Sequence, residues 1–304
     1  MFESNQDTGQ LHGFLIVDKP AGWTSHDVVA RARRLLNERQ IGHGGTLDPA
    51  ATGVLPLAVG SATRVVEYLI DADKQYLAEI VLGVSTDSHD ADGTVLAIED
   101  PSAIERPTVE AMLNEFHGIL QQMPPMHSAI KVKGRRLYDA ARRGIDVERQ
   151  PRQIVIHRIE LVEWNAPVAT ILVDCSKGTY IRAIARDLGD RLGCGAHLGN
   201  LVRLKTGPFS LLDAWNLDEL ESLDVRDQWP TIAIHPDVAT AWQPAVLLDR
   251  ETATRWQNGS KLRAGTATEE IARVYDERGE WLGVARGSID DGTWSPMKVI
   301  RIAR

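Results

Sequence analysis

Hydrophobic residues recur with two different periods along the first two-thirds of the chain, which predicts a mixture of strands and helices. Continuous or alternating apolar runs are typical of strands, and apolar residues three or four positions apart are typical of helices. Ser25 precedes the first helical pattern and is predicted to cap it, whereas Gly193 follows the last and is predicted to end it. The predicted strands span 13–17, 54–59, 76–84, 154–164 and 168–175, and the predicted helices span 25–39, 62–69, 108–116 and 179–192.

The pattern loosens after Gly207, which predicts a change of domain in the last third. Short β-type runs at 271–275, 281–285 and 298–302 are broken by glycine and aspartate. A length of 304 residues also favours two domains. We therefore predict a main domain at 11–220, a linker at 221–244 and a small β domain at 245–304. Within the main domain, 121–152 is irregular and is predicted to be an insertion or a loop over a groove.

The composition is ordinary for a soluble globular protein, with 43% hydrophobic and 25% charged residues. No apolar run approaches the roughly 18 residues that a membrane span needs, and the polar N-terminus does not resemble a signal peptide. Cys175 and Cys194 are the only cysteines and form no CxxC motif. A disulfide scaffold and a zinc site are therefore disfavoured, and we expect a cytoplasmic protein without a metal.

The charge distribution is more informative than the net charge of −8, which disfavours indiscriminate binding to nucleic acid. Residues 127–158 contain nine Lys or Arg against three acids, whereas residues 71–100 contain eight acids and one lysine. A basic stripe on an acidic body suits an RNA bound in one orientation, because phosphate contacts position the ligand. A charged, solvated surface is the alternative interpretation.

The segment Gly42–Gly53 is the strongest chemical signal, because it holds four glycines, His43 and Asp48 within twelve residues. Glycine allows close approach of backbone to a ligand, and Pro49 directs Asp48 away from helical backbone. Asp48 is therefore either a displayed functional carboxylate or part of an ordinary Asx turn. The segment lacks the Gly-Lys-Ser/Thr ending of a P-loop. The acidic segment 87–93 likewise fails the calcium-loop template.

Four blocks stand in order along the chain: Asp18–Ser25, Gly42–Gly53, Lys74–Tyr76 and Lys177–Arg182. Together they resemble the TruB family of pseudouridine synthases, and the similarity runs from about residue 13 to residue 207. The family isomerises uridine 55 in the TΨC loop of tRNA. The resemblance implies an α+β pseudouridine-synthase fold with a central mixed, mainly antiparallel sheet flanked by helices, plus a small C-terminal β-barrel of PUA type. It also implies that the insertion binds RNA.

The resemblance assigns catalysis to Asp48, Tyr76 and Arg182. Asp48 is the carboxylate that acts on the sugar or the base, and which of the two it attacks is left open. Tyr76 lies against the target base, although a tyrosine at this place in a strand is also typical of a core. Arg182 would pair with Asp48 and favour its ionised form. A plain surface arginine is less favoured there, because the helix dipole disfavours a cation at a helix start.

The resemblance also implies a set of substrate-binding residues. His43 is similar to the histidine that fills the space left by the extruded nucleotide, although a hydrogen-bonded loop histidine would give the same sequence pattern. Tyr180 packs on the base or anchors its helix, and Leu201 lies beneath the uracil or simply in the core. Lys19 braces the active-site loop. Asp90 and Lys131 are the remaining members, the first by similarity to an RNA-contacting residue and the second from the basic stripe.

These implications favour a stand-alone enzyme that uses no cofactor or metal, acts on the TΨC stem-loop of tRNA, and is a monomer without an obligate protein partner or a membrane. The catalytic subunit of a guide-RNA ribonucleoprotein is disfavoured by the acidic charge. A non-catalytic tRNA-binding factor is disfavoured by the intact Asp48, Tyr76 and Arg182. An RNA 5-methyluridine methyltransferase would need a Gly-rich cofactor-binding unit and a displayed cysteine, and neither is visible.

Overall fold

The computed structural model describes residues 10–126, 147–263 and 268–300, together with the backbone of 131–132 and 135–136. The chain divides into two compact units, and neither is continuous in sequence. The first unit comprises Met1–Asp48, Leu55–Ile70 and Gly207–Arg304, and the second comprises Pro49–Val54 and Asp71–Thr206. This division differs from the expected contiguous domains, because the chain leaves the first unit and returns to it twice.

The N-terminal part of the first unit contains three strands and two helices, and both β1 and β2 lie beside β3. Strands β2 and β3 pair antiparallel, with Ile41 opposite Val59. The first three residues of β3 belong to the second unit. The predicted helix at 62–69 is instead a 3-10 turn at Gly60–Arg64 followed by a short helix. The elements are β1 (Gly13–Lys19), α1 (Ser25–Leu36), β2 (Ile41–His43), β3 (Thr52–Val59) and α2 (Val66–Asp71).

The capping of α1 differs from the prediction. Thr24, not Ser25, is the N-cap residue: its hydroxyl accepts the Asp27 N–H at 3.1 Å, and the Asp27 carboxylate accepts the Thr24 N–H at 2.9 Å. This reciprocal pair is a capping box. The helix ends at Leu36 rather than 39, because Asn37 adopts left-handed backbone with φ 47°. Ser25 is therefore available for another contact.

The second unit is a sheet with helices. Its strand order is β12-β4-β11-β10-β7, with every neighbouring pair antiparallel, and the start of β3 pairs parallel with β12. The sheet is thus mixed and mainly antiparallel, as predicted. Helix α4 ends where expected, at Gly193 with φ 73°. The elements are β4 (Lys74–Leu82), β5 (Val84–Thr86), β6 (Val95–Ile98), α3 (Arg106–Asn114), β7 (Gly118–Gln122), β8 (Lys131–Val132), β9 (Arg135–Arg136), β10 (Arg152–Asn165), β11 (Val168–Cys175), α4 (Ile181–Leu192) and β12 (Ala196–Thr206).

The C-terminal part of the first unit contains a second, four-stranded sheet in the order β14-β15-β16-β17. Trp256 and Trp294 lie in its core, so it is the small sheet domain that was predicted. The expected strand at 298–302 overlaps the end of β17 at 298–299, and residues 301–302 lie outside the described residues. Helix α7 was not predicted. The elements are β13 (Phe209–Ser210), α5 (Leu217–Ser222), α6 (Trp229–Ile232), β14 (Ala245–Leu248), α7 (Arg250–Gln257), β15 (Ile271–Asp276), β16 (Trp281–Ser288) and β17 (Thr293–Val299).

The segment expected as a linker, 221–244, contributes to the core of the first unit. Val225, Trp229 and Ile232 are buried in the same cluster as Leu15 of β1 and Val28 of α1. Helices of six and four residues are too short to show a regular apolar period, which is why the pattern looked like a linker.

Candidate active site

In the first unit, Asp48 lies on the loop between β2 and β3, and the backbone of this loop is fixed at several points. The Gly44 N–H donates to the Pro56 carbonyl at 2.8 Å. Gly45 has φ 131°, a conformation that L side chains rarely adopt, so glycine is needed there. Asp48 itself is half-buried. The glycine content of the segment thus serves to shape the loop that carries the carboxylate.

Ser25 forms hydrogen bonds with the main chain of Leu47, the residue that precedes Asp48. Its buried hydroxyl accepts the Leu47 N–H at 2.9 Å and donates to the Leu47 carbonyl at 3.2 Å. Both main-chain polar groups of Leu47 are satisfied by one side chain, and Leu47 is itself buried. These two hydrogen bonds fix the position and direction of the main chain where it leads into Asp48.

Lys19 holds the turn that leads to Ser25. Its side chain is fully buried, and its ammonium donates to the carbonyls of Pro20 at 2.8 Å and Trp23 at 2.7 Å. A buried ammonium needs such acceptors, because its desolvation is otherwise costly. Lys19 thus holds the turn that leads to Ser25, and Ser25 holds the loop that carries Asp48. We refer to side chains that hold a candidate residue or its main chain in this way as braces.

His43 is positioned by the same loop. Its Nδ1 accepts the Gly45 N–H at 3.4 Å, and its ring lies edge-on to the ring of His26, with 5.5 Å between centroids. The imidazole remains half-exposed. An aromatic ring held in this way can stack on nucleobases.

In the second unit, Tyr76 of β4 lies opposite Arg203 of β12. The two side chains are hydrogen-bonded, and the Arg203 Nε also donates to the Val54 carbonyl at 2.8 Å. Burial lowers the pKa of Arg203, and the contact with Tyr76 opposes that effect. Leu201 is two residues away on the same strand and is buried opposite Ala78. A half-buried phenol and an apolar side chain therefore share one face of the sheet.

Arg182, in the first turn of α4, pairs with Asp90. The guanidinium NH1 lies 3.2 Å from the Asp90 carboxylate, and the Arg182 side chain is only 6% exposed. Asp90 also accepts hydrogen bonds from the Ser88 hydroxyl and from the Asp92 N–H. Asp90 thus holds a buried arginine, and its expected contact with RNA stays a prediction.

Tyr180 is fixed through its backbone at the N-terminus of α4. The side chain of Gln122, which is buried, accepts the Tyr180 N–H at 2.9 Å and donates to the Tyr180 carbonyl at 3.1 Å. In the second unit, this contact corresponds to the pair of hydrogen bonds that Ser25 makes with Leu47 in the first. It fixes the main chain at the start of α4, and therefore the backbone positions from which the side chains of Tyr180 and Arg182 extend.

Lys74 lies two residues before Tyr76 and is buried, with its ammonium donating to the Ala72 carbonyl at 2.5 Å. Burial, and then the nearby charge of Arg203, lowers the pKa of Lys74 to about 8. The sheet face that carries Tyr76 therefore holds two buried basic side chains, those of Arg203 and Lys74.

Most of the basic insertion lies outside the described residues. The backbone of Lys131 pairs with Arg136 in the two-stranded ladder of β8 and β9, and its side chain lies outside the described residues. The same is true of most of the basic stripe, whereas Arg149 is described and donates to the Pro124 carbonyl at 3.0 Å. Binding of RNA by this stripe stays a prediction.

Sequence reasoning missed three residues that hold candidate residues in place: Ser25 in the first unit, and Gln122 and Arg203 in the second. Ser25 stood in a recognised block but was interpreted as a helix cap. Arg203 gave no signal, because no strand was predicted over 196–206 and an arginine outside a predicted element is typical of a surface. Gln122 gave none, since a glutamine at a strand end has many surface uses.

Among residues 10–126, 147–263 and 268–300, no three or more His, Cys, Asp or Glu are grouped so that they could hold a metal ion. Within the same described residues, no helix combines the length and the apolar character that crossing a bilayer requires.

Comparison with known proteins identifies the family. Three family models match the chain: TruB family pseudouridylate synthase (N terminal domain) at 33–181, tRNA pseudouridylate synthase B C-terminal domain at 182–233, and Pseudouridine synthase II TruB, C-terminal at 244–300. The last of these matches corresponds to the small PUA-like sheet domain.

The similarity extends over nearly the whole chain. A tRNA pseudouridine synthase B of Dehalococcoides mccartyi is 43% identical over 95% of this chain and 96% of its own length. Another, of Symbiobacterium thermophilum, is 49% identical over 76% of this chain and 78% of its own length. A crystal structure of a Cbf5-Nop10-Gar1 complex shares the fold, with a TM-score of 0.73, 24% identity, and coverage of 99% of this chain and 90% of that one. The predicted pseudouridine-synthase fold is confirmed, and the chain belongs to the TruB family of pseudouridylate synthases.

Proposed function

We propose that this protein converts uridine 55 in the TΨC loop of tRNA to pseudouridine. The observation that carries the proposal is the similarity to proteins named tRNA pseudouridine synthase B over 95% of this chain. The four sequence blocks support it, because each contains a candidate site residue and the blocks stand in the order typical of the family.

The reaction is an isomerisation, so its atoms and electrons balance without a co-reactant. The N1–C1′ bond breaks, the uracil turns, a C5–C1′ bond forms, N1 gains a proton and C5 loses one. Asp48 supplies the carboxylate, which attacks either the sugar or the base. Arg182 is proposed to favour the ionised form of Asp48, and its charge is kept in place by Asp90. Tyr76 lies against the base and exchanges a proton through its hydroxyl.

The remaining residues are proposed to bind the tRNA. The target uridine must leave its folded loop to react, and the ring of His43 takes the place that it vacates. Leu201 forms an apolar surface beneath the uracil, Tyr180 packs on the base, and Lys131 contributes to the basic stripe. Lys19 acts at a distance by bracing the loop. We further propose a cytoplasmic monomer that needs no protein partner, metal or cofactor.

The test is to incubate the full-length protein, with no added cofactor, with an unmodified tRNA transcript and to map pseudouridine along the RNA. One new pseudouridine at position 55 is expected. A transcript with cytidine at position 55 should acquire none. Modification at other positions, or no modification by a folded protein that binds tRNA, would contradict the proposal.

A further inference from the structure

Arg203 is the most unusual charged residue in the second unit, because it is only 1% exposed. Arginine is almost never fully buried unless it is paired. It stands in the middle of β12, and the catalytic roles proposed above leave it without a function. Its burial therefore needs an explanation from its contacts.

Two described contacts hold the Arg203 guanidinium. Nε donates to the Val54 carbonyl at 2.8 Å, and the group is also hydrogen-bonded to the side chain of Tyr76, its cross-strand partner. A guanidinium has only donors, so the phenolic oxygen of Tyr76 must be the acceptor. The hydroxyl proton of Tyr76 consequently points away from Arg203.

The backbone around Arg203 is shaped for this contact. Gly53 pairs with Arg203 across β3 and β12 and has φ +99°. A Cβ atom at Gly53 would lie 2.3 Å from the Arg203 carbonyl oxygen, which is impossible without moving a strand. The close approach of the two strands brings the Val54 carbonyl within reach of Nε, so the guanidinium is anchored to main chain on one side and meets the phenol on the other.

We propose that Arg203 is a positioning residue for Tyr76: it fixes the phenol against the sheet and directs the hydroxyl proton towards the bound uracil. This inference rests on the proposed function of Tyr76. The positive charge also favours the phenolate over the phenol, which makes the hydroxyl a better proton donor. A guanidinium that only filled space would have neither effect.

The activity test is a double-mutant cycle under single-turnover conditions, with Arg203→Gln, Tyr76→Phe and the combined variant. Arg203→Gln is expected to slow pseudouridine formation about 10²-fold, the lower end of the contribution of a positioned proton-transfer group. In the Tyr76→Phe background the same change is expected to slow it less than about threefold, because the residues act as a unit. Equal losses in both backgrounds would overturn the proposal.

Arg106→Gln is the matched control, since Arg106 is an exposed arginine of the second unit that pairs with Glu110. It is expected to leave the rate unchanged. If Arg203→Gln does not fold, as judged by circular dichroism, Arg203→Lys replaces it, with an expected loss of about tenfold because the charge stays but the geometry of the fork is lost. A Lys variant that loses equally in both backgrounds would count against the proposal in the same way.

A second measurement does not depend on activity. The ultraviolet titration of Tyr76 is obtained as the difference between each protein and its Tyr76→Phe counterpart, since the chain has five tyrosines. Without the neighbouring cation, the midpoint is expected to move at least about one pH unit upward. An unchanged midpoint would overturn the role of Arg203 even if tRNA is not the substrate. Absence of pseudouridine formation by the wild-type protein would instead count against the proposed function.

Discussion

The two regions that carry the candidate residues are braced in different ways. In the first unit, Ser25 and Lys19 end their hydrogen bonds on main-chain atoms, and the loop of Asp48 is shaped by these contacts. The second unit has a main-chain contact of this kind, from Gln122 to Tyr180, and in addition pairs of side chains, Arg182 with Asp90 and Arg203 with Tyr76. Main-chain braces fix position alone, whereas side-chain braces also fix charge. Removing one of these contacts should therefore have different effects on the protein in the two regions.

The largest effect is expected from Asp48, the residue that the first set of braces presents. Asp48→Asn should abolish turnover, by at least about 10⁴-fold, because the amide cannot act as the nucleophile. Affinity for tRNA should stay within several-fold, since asparagine has nearly the same size and shape as aspartate. Tritium release from tRNA labelled at C5 of uridine measures the first quantity and filter binding the second. Asp100→Asn, at an exposed turn, serves as the control, and substantial residual release by Asp48→Asn would refute the role of Asp48.

Asp90 tests the side-chain braces. Asp90→Ala leaves the buried Arg182 guanidinium without this carboxylate, and breaking a buried ion pair by removing one partner costs about 3 kcal/mol. The melting temperature should fall by roughly 6–12 °C for a protein of this size. Turnover should fall as well, because Arg182 loses the contact with this carboxylate.

Asp92→Ala is the matched control for this comparison. Asp92 lies on the same loop and is exposed, and its described contact with Asp90 is made by its backbone N–H, which alanine keeps. It should change the melting temperature by less than about 2 °C, as most surface substitutions do. Equal losses for Asp90→Ala and Asp92→Ala would mean that the ion pair does not support the fold.

Lys74 makes the second unit sensitive to pH. Its pKa is about 8 in the folded protein against 10.5 for a free lysine, so between these values the unfolded chain binds the proton and the folded chain does not. The wild-type protein should therefore gain up to about 3 kcal/mol over Lys74→Met as pH rises from 8 to 10.5. Urea denaturation of both proteins across this range measures the difference. A difference that stays constant with pH would contradict the shifted pKa.

The sequence predicted the family and about half of the helices and strands. Apolar periodicity located β10, β11 and α4 because these are long enough to repeat a pattern, whereas α5 and α6 are too short to do so. Strand β12 was missed although it has 11 residues, because polar and charged side chains interrupt its apolar positions. Motif blocks identified Asp48, Tyr76 and Arg182, because they mark residue types in order. They could not show that Asp90 binds Arg182, since the two are 92 positions apart and only the folded chain brings them together.

Ser25 tests the main-chain braces and is expected to give the smallest effect. Ser25→Ala leaves the buried N–H and carbonyl of Leu47 without the hydroxyl, which should cost about 1–3 kcal/mol of unfolding free energy. Turnover should fall about tenfold, because a small displacement of Asp48 is enough to misalign its attack. Ser222→Ala is the control, since Ser222 also donates to a main-chain carbonyl in the first unit but is exposed. Because no ionisable group is involved, both losses should be independent of pH from 6 to 9, and a pH-dependent loss would show that this brace, too, acts through charge.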